Sequence, residues 1–228
     1  MAIRQRFERQ LDELREDVLK MGSMVEAELA LALEAFDRLS SQLADQVHVE
    51  DTSINQQRFQ IEEKCFALIV TQQPAARDLR AVVAVMNMIV DLERMGDQAK
   101  GIAKVVPHVI RSRATARPPE IAQMGELVSS MLRQAMTAYA HDNVDLAAVV
   151  AQQDDEVDAL YAAVFAQIMG KMAKTKNPDK VESSYETLRV ARELERFGDL
   201  ATNVAERVIY LVTGYLHEVN VDRDGSAG

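Results

Sequence analysis

Hydrophobic residues recur at helical spacing along nearly the whole chain, and the pattern is interrupted at only a few points. The first run has an apolar residue at every third or fourth position, namely Phe7, Leu11, Leu14, Val18, Met21, Val25, Leu29 and Leu33. Such spacing lines one face of an α-helix with apolar side chains. The whole pattern predicts six helices, over residues 3–39, 41–73, 75–109, 120–140, 143–174 and 178–215.

The interruptions carry residues that are typical of helix ends. Ser40 is predicted to end the first helix and to cap the second. Pro74 is expected in the first turn of the third helix, where its missing N–H group leaves no hydrogen bond unmade. Asn177 and Pro178 predict the N-cap and first residue of the sixth helix. Residues 111–119, which end in two prolines, are the least helical stretch and are interpreted as a linker.

The second half of the sequence repeats the first. Residues 21–22 match residues 124–125 at an offset of 103, and the apolar positions that follow keep the same offset. Residues 92–97 match residues 194–199 at an offset of 102, so one connecting loop differs by a single residue. Each copy carries Leu-Glu-Arg-(Met/Phe)-Gly-Asp in its third helix. The repeat unit is therefore three helices.

Composition and repeat together predict the fold class. The 228 residues include 9 glycines, 5 prolines and no tryptophan, which favours long helices with short connections over a sheet. We predict an all-α protein of two tandem antiparallel three-helix bundles, over residues 1–113 and 118–217, with a frayed tail at 218–228. Helices of about 30 residues span about 45 Å, so each bundle should be elongated.

The net charge and the lack of long apolar runs argue against nucleic acid and membranes as partners. A formal net charge of −10 argues against binding to nucleic acid or to an anionic membrane, and it is compatible with binding of cations. No uncharged apolar run approaches the roughly 20 residues that span a bilayer, and the N-terminus is not that of a signal peptide. We expect a cytoplasmic protein without membrane insertion. The single cysteine, Cys65, permits no disulfide within the chain.

An acidic stripe follows the motif on the sixth helix. Glu195, Asp199, Asn203 and Glu206 fall within about 80° of the helix circumference, nearly opposite the apolar face. Two interpretations stay open. The stripe is either a solvated surface or a platform for a metal ion, whose charge would turn the mutual repulsion of the carboxylates into attraction.

The fifth helix adds two carboxylates on the flank of its apolar face, Asp154 and Asp158, which lie one turn apart. A groove between the fifth and sixth helices could gather both sets of oxygen atoms at a site open to solvent. Oxygen ligands suit hard cations such as Mg²⁺, and Fe, Mn or Zn ions are also possible.

The first copy of the repeat departs from this ligand set. It retains Asp51, Glu93 and Asp97, but Asn55, Gly101 and Lys104 stand where the second copy has Asp158, Asn203 and Glu206. We expect the ammonium group of Lys104 to supply part of the positive charge that a metal would supply in the second copy. The first site is therefore predicted to be weak or empty.

These motifs resemble those of the PhoU family of phosphate-uptake regulators. The resemblance rests on residues 72–80, 91–97, 154–158 and 193–203 and extends over about residues 7–214. It implies two three-helix bundles that commonly form a homodimer and bind metal ions at surface clusters of acidic residues. By position, the implied ligands here are Asp154, Asp158, Glu195, Asp199, Asn203 and Glu206, and more weakly Asp51, Glu93 and Asp97.

The resemblance also implies a role without catalysis. Such proteins are negative regulators of phosphate uptake and of phosphate-starvation signalling, linking the ATPase of the phosphate ABC transporter to a sensor histidine kinase. Two other interpretations are a helical scaffold without metal dependence and a metal-storage or redox enzyme, although no Glu-x-x-His pair of the di-iron type occurs. Arg77, Asp78 and Arg80 are interpreted either as a partner-contact patch or as ordinary helix-terminal residues.

Overall fold

The computed structural model describes residues 2–112 and 118–215, and this part of the chain contains six helices and no strand. The prediction of an all-α fold is confirmed. The helices are α1 (Ala2–Arg38), α2 (Ser41–Gln72), α3 (Arg77–Ser112), α4 (Pro119–His141), α5 (Val144–Lys174) and α6 (Pro178–Thr213). Their bounds agree with the sequence pattern to within a few residues.

Polar caps start three of the helices. The Ser40 side chain accepts a hydrogen bond from the backbone N–H of Leu43, and Asn143 accepts one from Leu146. Asn177 caps α6, with Pro178 as the first helical residue, as the sequence predicted. These contacts satisfy backbone donors that have no partner within the helix.

The prediction that Pro74 lies in the first turn of α3 was wrong. Pro74 lies in the connection before α3, which begins at Arg77. Gln73 and Ala76 have φ values of 47° and 48°, in the left-handed region. A right-handed helix cannot continue through such residues, so the chain turns twice before α3 starts.

The six helices form two three-helix bundles, α1–α3 and α4–α6, which lie side by side. Short connections make consecutive helices antiparallel within each bundle. The bundles meet chiefly where α3 packs along α6, with a smaller contact between α1 and α4. Buried apolar residues of both bundles form one continuous core, so the two repeats fold against each other.

In the contact between α1 and α4, equivalent residues of the two repeats make equivalent contacts. A Cβ atom added to Gly22 would lie 2.8 Å from Cγ of Met136, and one added to Gly125 would lie 2.8 Å from Cδ1 of Leu33. Gly22 and Gly125 are equivalent in the repeat, and so are Leu33 and Met136. The two bundles are thus related by an approximate two-fold axis, and each glycine admits a large side chain of the other bundle.

No helix among the described residues is both long enough and apolar enough to cross a membrane. The proposed boundaries at residues 113, 118 and 217 stay predictions. The predicted tail at 218–228 lies outside the described residues.

Candidate metal centre

Four carboxylates of the second bundle come together along the groove between α5 and α6. We call Asp154, Asp158, Glu195 and Asp199 the second cluster. Burial, followed by repulsion from Asp199, Asp158, Asp155 and Glu195, raises the pKa of Asp154 to about 6. The fifth and sixth helices therefore place these groups close enough to disfavour their joint ionisation.

The two α6 members of the second cluster show the same effect. Burial and then the negative charges of Asp199 and Asp158 raise the pKa of Glu195, although Arg192 and Arg196 oppose the shift. Burial and then Asp158 raise the pKa of Asp199, again against Arg196. Ionisation of all the carboxyl groups of the second cluster is therefore unfavourable, and a bound cation would offset their mutual repulsion.

The packing of α6 explains why these carboxylates line one groove. Leu194 and Phe197 are fully buried on the opposite side of the helix. Gly198 lies against α4 and α5, where an added Cβ atom would be 3.5 Å from Val128 and 3.4 Å from Val157. The motif therefore combines a buried apolar face, a glycine where α6 contacts α4 and α5, and acidic residues beside the groove.

A buried hydroxyl group lies on the same stripe of α6. Thr202 is 4% exposed, and its Oγ1 atom makes no hydrogen bond with any described residue. It lies two turns after Glu195, on the side of α6 that carries the second cluster. A buried oxygen atom without a partner is costly, and such an atom adds to the oxygen donors that suit a hard cation.

The other two predicted ligands lie further along α6. Asn203 is exposed and Glu206 is half-buried, one turn and about two turns beyond Asp199. Their membership in a metal site stays a prediction.

The described side chains do not form a ready-made coordination sphere. Within residues 2–112 and 118–215, no group of three or more His, Cys, Asp or Glu side chains is placed to hold a metal ion. Asp158 is exposed, whereas the carboxyl group of Asp199 is partly enclosed. A metal at the second cluster would have to draw these carboxylates inward.

In the first bundle, an ammonium group lies beside the corresponding carboxylates and offsets part of their negative charge. We call Asp51, Glu93 and Asp97 the first cluster. Lys100 Nζ lies 2.7 Å from Oδ2 of Asp51 and 3.7 Å from Oδ1 of Asp97. The hydrogen bond to Asp51 raises the pKa of Lys100, so the ammonium form is favoured at this position.

Asn55 completes the contacts of Asp51. Its side-chain amide donates to the Asp51 carboxylate at 3.3 Å and to the Asp51 backbone carbonyl at 3.0 Å. Burial, and then Asp97, raise the pKa of Glu93, with Arg58 opposing the shift. The first cluster is therefore a set of carboxylates that already have a cation and an amide donor beside them.

The sequence pointed to the wrong lysine. Lys104 lies on the same stripe of α3 as Lys100 but one turn further along, where it is exposed and interacts with Glu193 of α6. Lys100 is level with Asp51 on α2, and axial position on the helix decides which ammonium group reaches the carboxylates. The helical wheel shows angle alone and therefore does not distinguish the two lysines.

Glu28 was missed altogether. This α1 residue is fully buried, and neither of its carboxyl oxygens has a hydrogen-bond partner among the described residues. Burial, and then the charge of Asp51, raise its pKa to about 9. A signal existed in the sequence, because Glu28 falls between Val25 and Ala32 at core spacing and matches Met131 in the second copy.

Comparison with known proteins then decides the family. The PhoU domain family matches residues 18–106 and 121–208, which are the two halves of the internal repeat. The chain belongs to the PhoU family.

Proteins similar to this PhoU-family chain are accessory proteins of phosphate transport. A phosphate-specific transport system accessory protein PhoU homolog of Clostridium acetobutylicum is 37% identical over 215 residues, covering 94% of this chain and 97% of the relative. The homolog of the same description from Pseudomonas aeruginosa is 35% identical, covering 93% and 87% of the two chains.

Solved structures of PhoU proteins share the fold. The phosphate transport system regulatory protein PhoU from Streptococcus pneumoniae superposes with a TM-score of 0.86 at 33% identity, over 93% of this chain and 99% of that one. PhoU from Pseudomonas aeruginosa gives a TM-score of 0.85 at 34% identity, over 92% and 100% of the two chains. Tandem three-helix bundles are therefore the family architecture, and the predicted fold is confirmed.

The Gln72-Gln73-Pro74 segment that contributed to the PhoU resemblance borders a cavity of about 350 Å³ at one end of the first bundle. Asp78 at its edge pairs with Arg4 of α1. Arg80 lies over the ring of Tyr210 on α6, 5.8 Å from its centroid. These charged residues thus join helices, which favours the structural interpretation of this segment.

Proposed function

We propose that this chain is a negative regulator of phosphate uptake and phosphate-starvation signalling. The similarity to phosphate-transport accessory proteins over nearly the full length of both chains supports the proposal. In this role it acts in the cytoplasm, without catalysis and as a homodimer, by contacting the ATPase of the phosphate ABC transporter and a sensor histidine kinase.

An apolar surface on α2 supports action through protein contacts. Phe59, Phe66 and Val70 are 57%, 66% and 59% exposed and lie on one side of the helix. We call these residues the α2 stripe. Large exposed apolar side chains on one face are typical of contact surfaces, and a partner helix or a second copy of the chain would cover them.

Loss of the gene tests the regulatory role directly. Deletion in the host organism is expected to raise a phosphate-starvation reporter in phosphate-rich medium, and a plasmid copy of the gene should restore repression. A reporter that stays low after deletion would remove the regulatory proposal.

We also propose that the second cluster binds a metal ion through oxygen ligands, with Mg²⁺, Mn²⁺, Fe or Zn as candidates. The mutual repulsion of its four carboxylates and the unpaired hydroxyl group of Thr202 support this assignment. Asp154, Asp158, Glu195 and Asp199 would hold the ion, which would stiffen α5 against α6. The competing proposal, a scaffold without metal dependence, is favoured by the lack of a preformed coordination sphere among the described residues.

Thermal unfolding separates these two proposals, because an ion that binds only the native state raises the melting temperature. Mn²⁺ at a hundred-fold excess over its Kd should raise Tm by about 5–10 °C for a chain of this size. The Asp154→Asn/Asp199→Asn variant should lose that shift. An equal shift in the wild type and the variant would favour the scaffold.

A further inference from the structure

Lys100 lies where a cation bound to the first cluster would lie. Its ammonium nitrogen is 2.7 Å from Oδ2 of Asp51 on α2 and 3.7 Å from Oδ1 of Asp97 on its own helix. The Asp51 side chain is only 7% exposed, whereas that of Lys100 is 25% exposed. The lysine therefore reaches from the protein surface into the cluster and neutralises its most buried carboxylate.

A buried acidic side chain also faces Lys100 from the inner side of the first cluster. The carboxyl group of Glu28 is fully buried on the inner side of the first cluster, with neither oxygen hydrogen-bonded to a described residue. It interacts electrostatically with Asp51, Lys100 and Asp97. Acidic side chains thus approach Lys100 from α1, α2 and α3, and one of them has unused oxygen atoms.

The second bundle lacks each of these adaptations. Thr202 stands at the position of Lys100, Asp158 at that of Asn55, and Met131 at that of Glu28. Thr202 has a neutral hydroxyl group in place of the ammonium group, and Asp158 offers acceptors where Asn55 donates. These positions lie on corresponding helices of the two bundles, and the exchanges alter the charge of the site.

We propose that Lys100 is the resident cation of the first cluster and that it excludes metal ions from this half of the protein. A metal ion would have to displace an ammonium group that is hydrogen-bonded to Asp51, and the two positive charges would repel each other. Residue 100 and its counterpart 202 therefore determine which bundle takes up a metal. The inference rests on the proposed metal binding by the second cluster.

A reciprocal exchange at these two positions tests the inference. Lys100→Thr should create Mn²⁺ uptake by the first cluster, and Thr202→Lys should abolish uptake by the second. Titration calorimetry of the purified full chain with Mn²⁺ counts the sites, and Asp97→Asn added to Lys100→Thr should remove the gained uptake. Lys100→Gln, which keeps a hydrogen-bond donor for Asp51 but removes the charge, should also gain Mn²⁺ uptake. It tests the same point if Lys100→Thr does not fold. Circular dichroism confirms that each variant is helical.

The outcomes separate the inference from the proposal on which it rests. If wild type binds Mn²⁺ and neither folded Lys100 variant gains a site, the role of Lys100 is overturned while metal binding stands. If wild type binds none and the Lys100 variants bind, the role of Lys100 stands while the metal role of the native second cluster fails. Uptake by wild type that is lost equally in Glu93→Gln/Asp97→Asn and in Asp154→Asn/Asp199→Asn would also overturn the inference.

Discussion

The ammonium nitrogen of Lys100 lies 2.7 Å from the carboxylate of Asp51, an ion pair that bridges α3 and α2. The equivalent pair in the second bundle is Thr202 and Asp154, which carries a carboxylate but no ammonium group. Two copies of one repeat thus carry different charges at equivalent positions of corresponding helices. In the first half, Lys100 offsets part of the negative charge, whereas the second half has no ammonium group at the equivalent position.

Removal of one carboxylate from the second cluster should stabilise the protein without metal and destabilise it with metal. In a chelator, Asp158→Asn should stabilise the protein by up to about 1 kcal/mol, because Asp158 raises the pKa of both Asp154 and Asp199. With Mn²⁺ in excess, the wild type should become the more stable of the two, since the variant has lost a ligand. Urea unfolding with and without chelator measures both differences. Destabilisation in the chelator would show that the carboxylates do not repel one another as described.

The buried carboxyl group of Glu28 should make stability depend on pH. Its pKa is about 9 in the folded chain against an ordinary value of 4.5, so above pH 4.5 the unfolded chain releases a proton that the native state keeps. The native state is therefore penalised increasingly as pH rises from 4.5 to 9, by at most about 1.4 kcal/mol per pH unit. The penalty is absent below pH 4.5.

Glu28→Gln and Glu28→Met, the latter copying Met131, should remove this dependence. Urea unfolding in the presence of a chelator at pH 5, 7 and 9 should show that the variants become more stable relative to the wild type as pH rises. Parallel stability profiles would mean that Glu28 is ionised in the native protein.

The two motif glycines should respond oppositely to alanine. An added Cβ atom at Gly96 would lie 2.9 Å from Oε2 of Glu28, whereas at Gly198 the nearest atom, in Val157, is 3.4 Å away. Gly96→Ala should therefore destabilise by about 1–3 kcal/mol through overpacking. Gly198→Ala should stabilise by up to about 1 kcal/mol through helix propensity. Thermal and urea unfolding measure both.

A double substitution identifies the cause of the Gly96 effect. Glu28→Ala removes the side chain that the new Cβ atom would meet, so the cost of Gly96→Ala should shrink in that background. Additive effects would place the cause elsewhere in the helix.

The α2 stripe should matter for regulation and not for stability. Phe59→Ser/Phe66→Ser changes two exposed side chains, so its free energy of unfolding should stay within about 0.5 kcal/mol of wild type. The same variant should fail to restore repression in the deletion strain. Met169→Ser is the matched control, because Met169 is the repeat equivalent of Phe66 and is 46% exposed. If Phe59→Ser/Phe66→Ser represses like wild type, the stripe is not the contact surface.

Helical periodicity predicted the six helices and the duplication because each long helix buries one apolar stripe against its bundle. It also placed Glu195 and Asp199 opposite buried Leu194 and Phe197, as observed. Pro74 was misplaced because proline at a first turn is common, and nothing in the pattern shows that Ala76 adopts a left-handed conformation. Local propensity does not record such turns.

Helical periodicity marks Glu28 as a core position, but it does not show which side chains of other helices are in contact. Whether Lys100 or Lys104 reaches Asp51 depends on the axial alignment of α3 with α2, which angular position on a wheel does not contain. Glu28 lies on α1, far in sequence from the motif, and it enters the cluster because Gly96 lets α1 approach α3 closely. Three-dimensional packing, and not sequence spacing, brings these groups together.

Repression in cells by cluster variants tests most directly whether the second cluster carries the regulatory function. Asp154→Asn/Asp199→Asn and Glu93→Gln/Asp97→Asn would each be expressed in the deletion strain, with protein levels matched by immunoblot, and the phosphate-starvation reporter measured in phosphate-rich medium. The first pair should leave the reporter high, as in the deletion strain, and the second pair should repress it as wild type does. Full repression by both variants, or equal failure of both, would contradict the assignment of function to the second cluster.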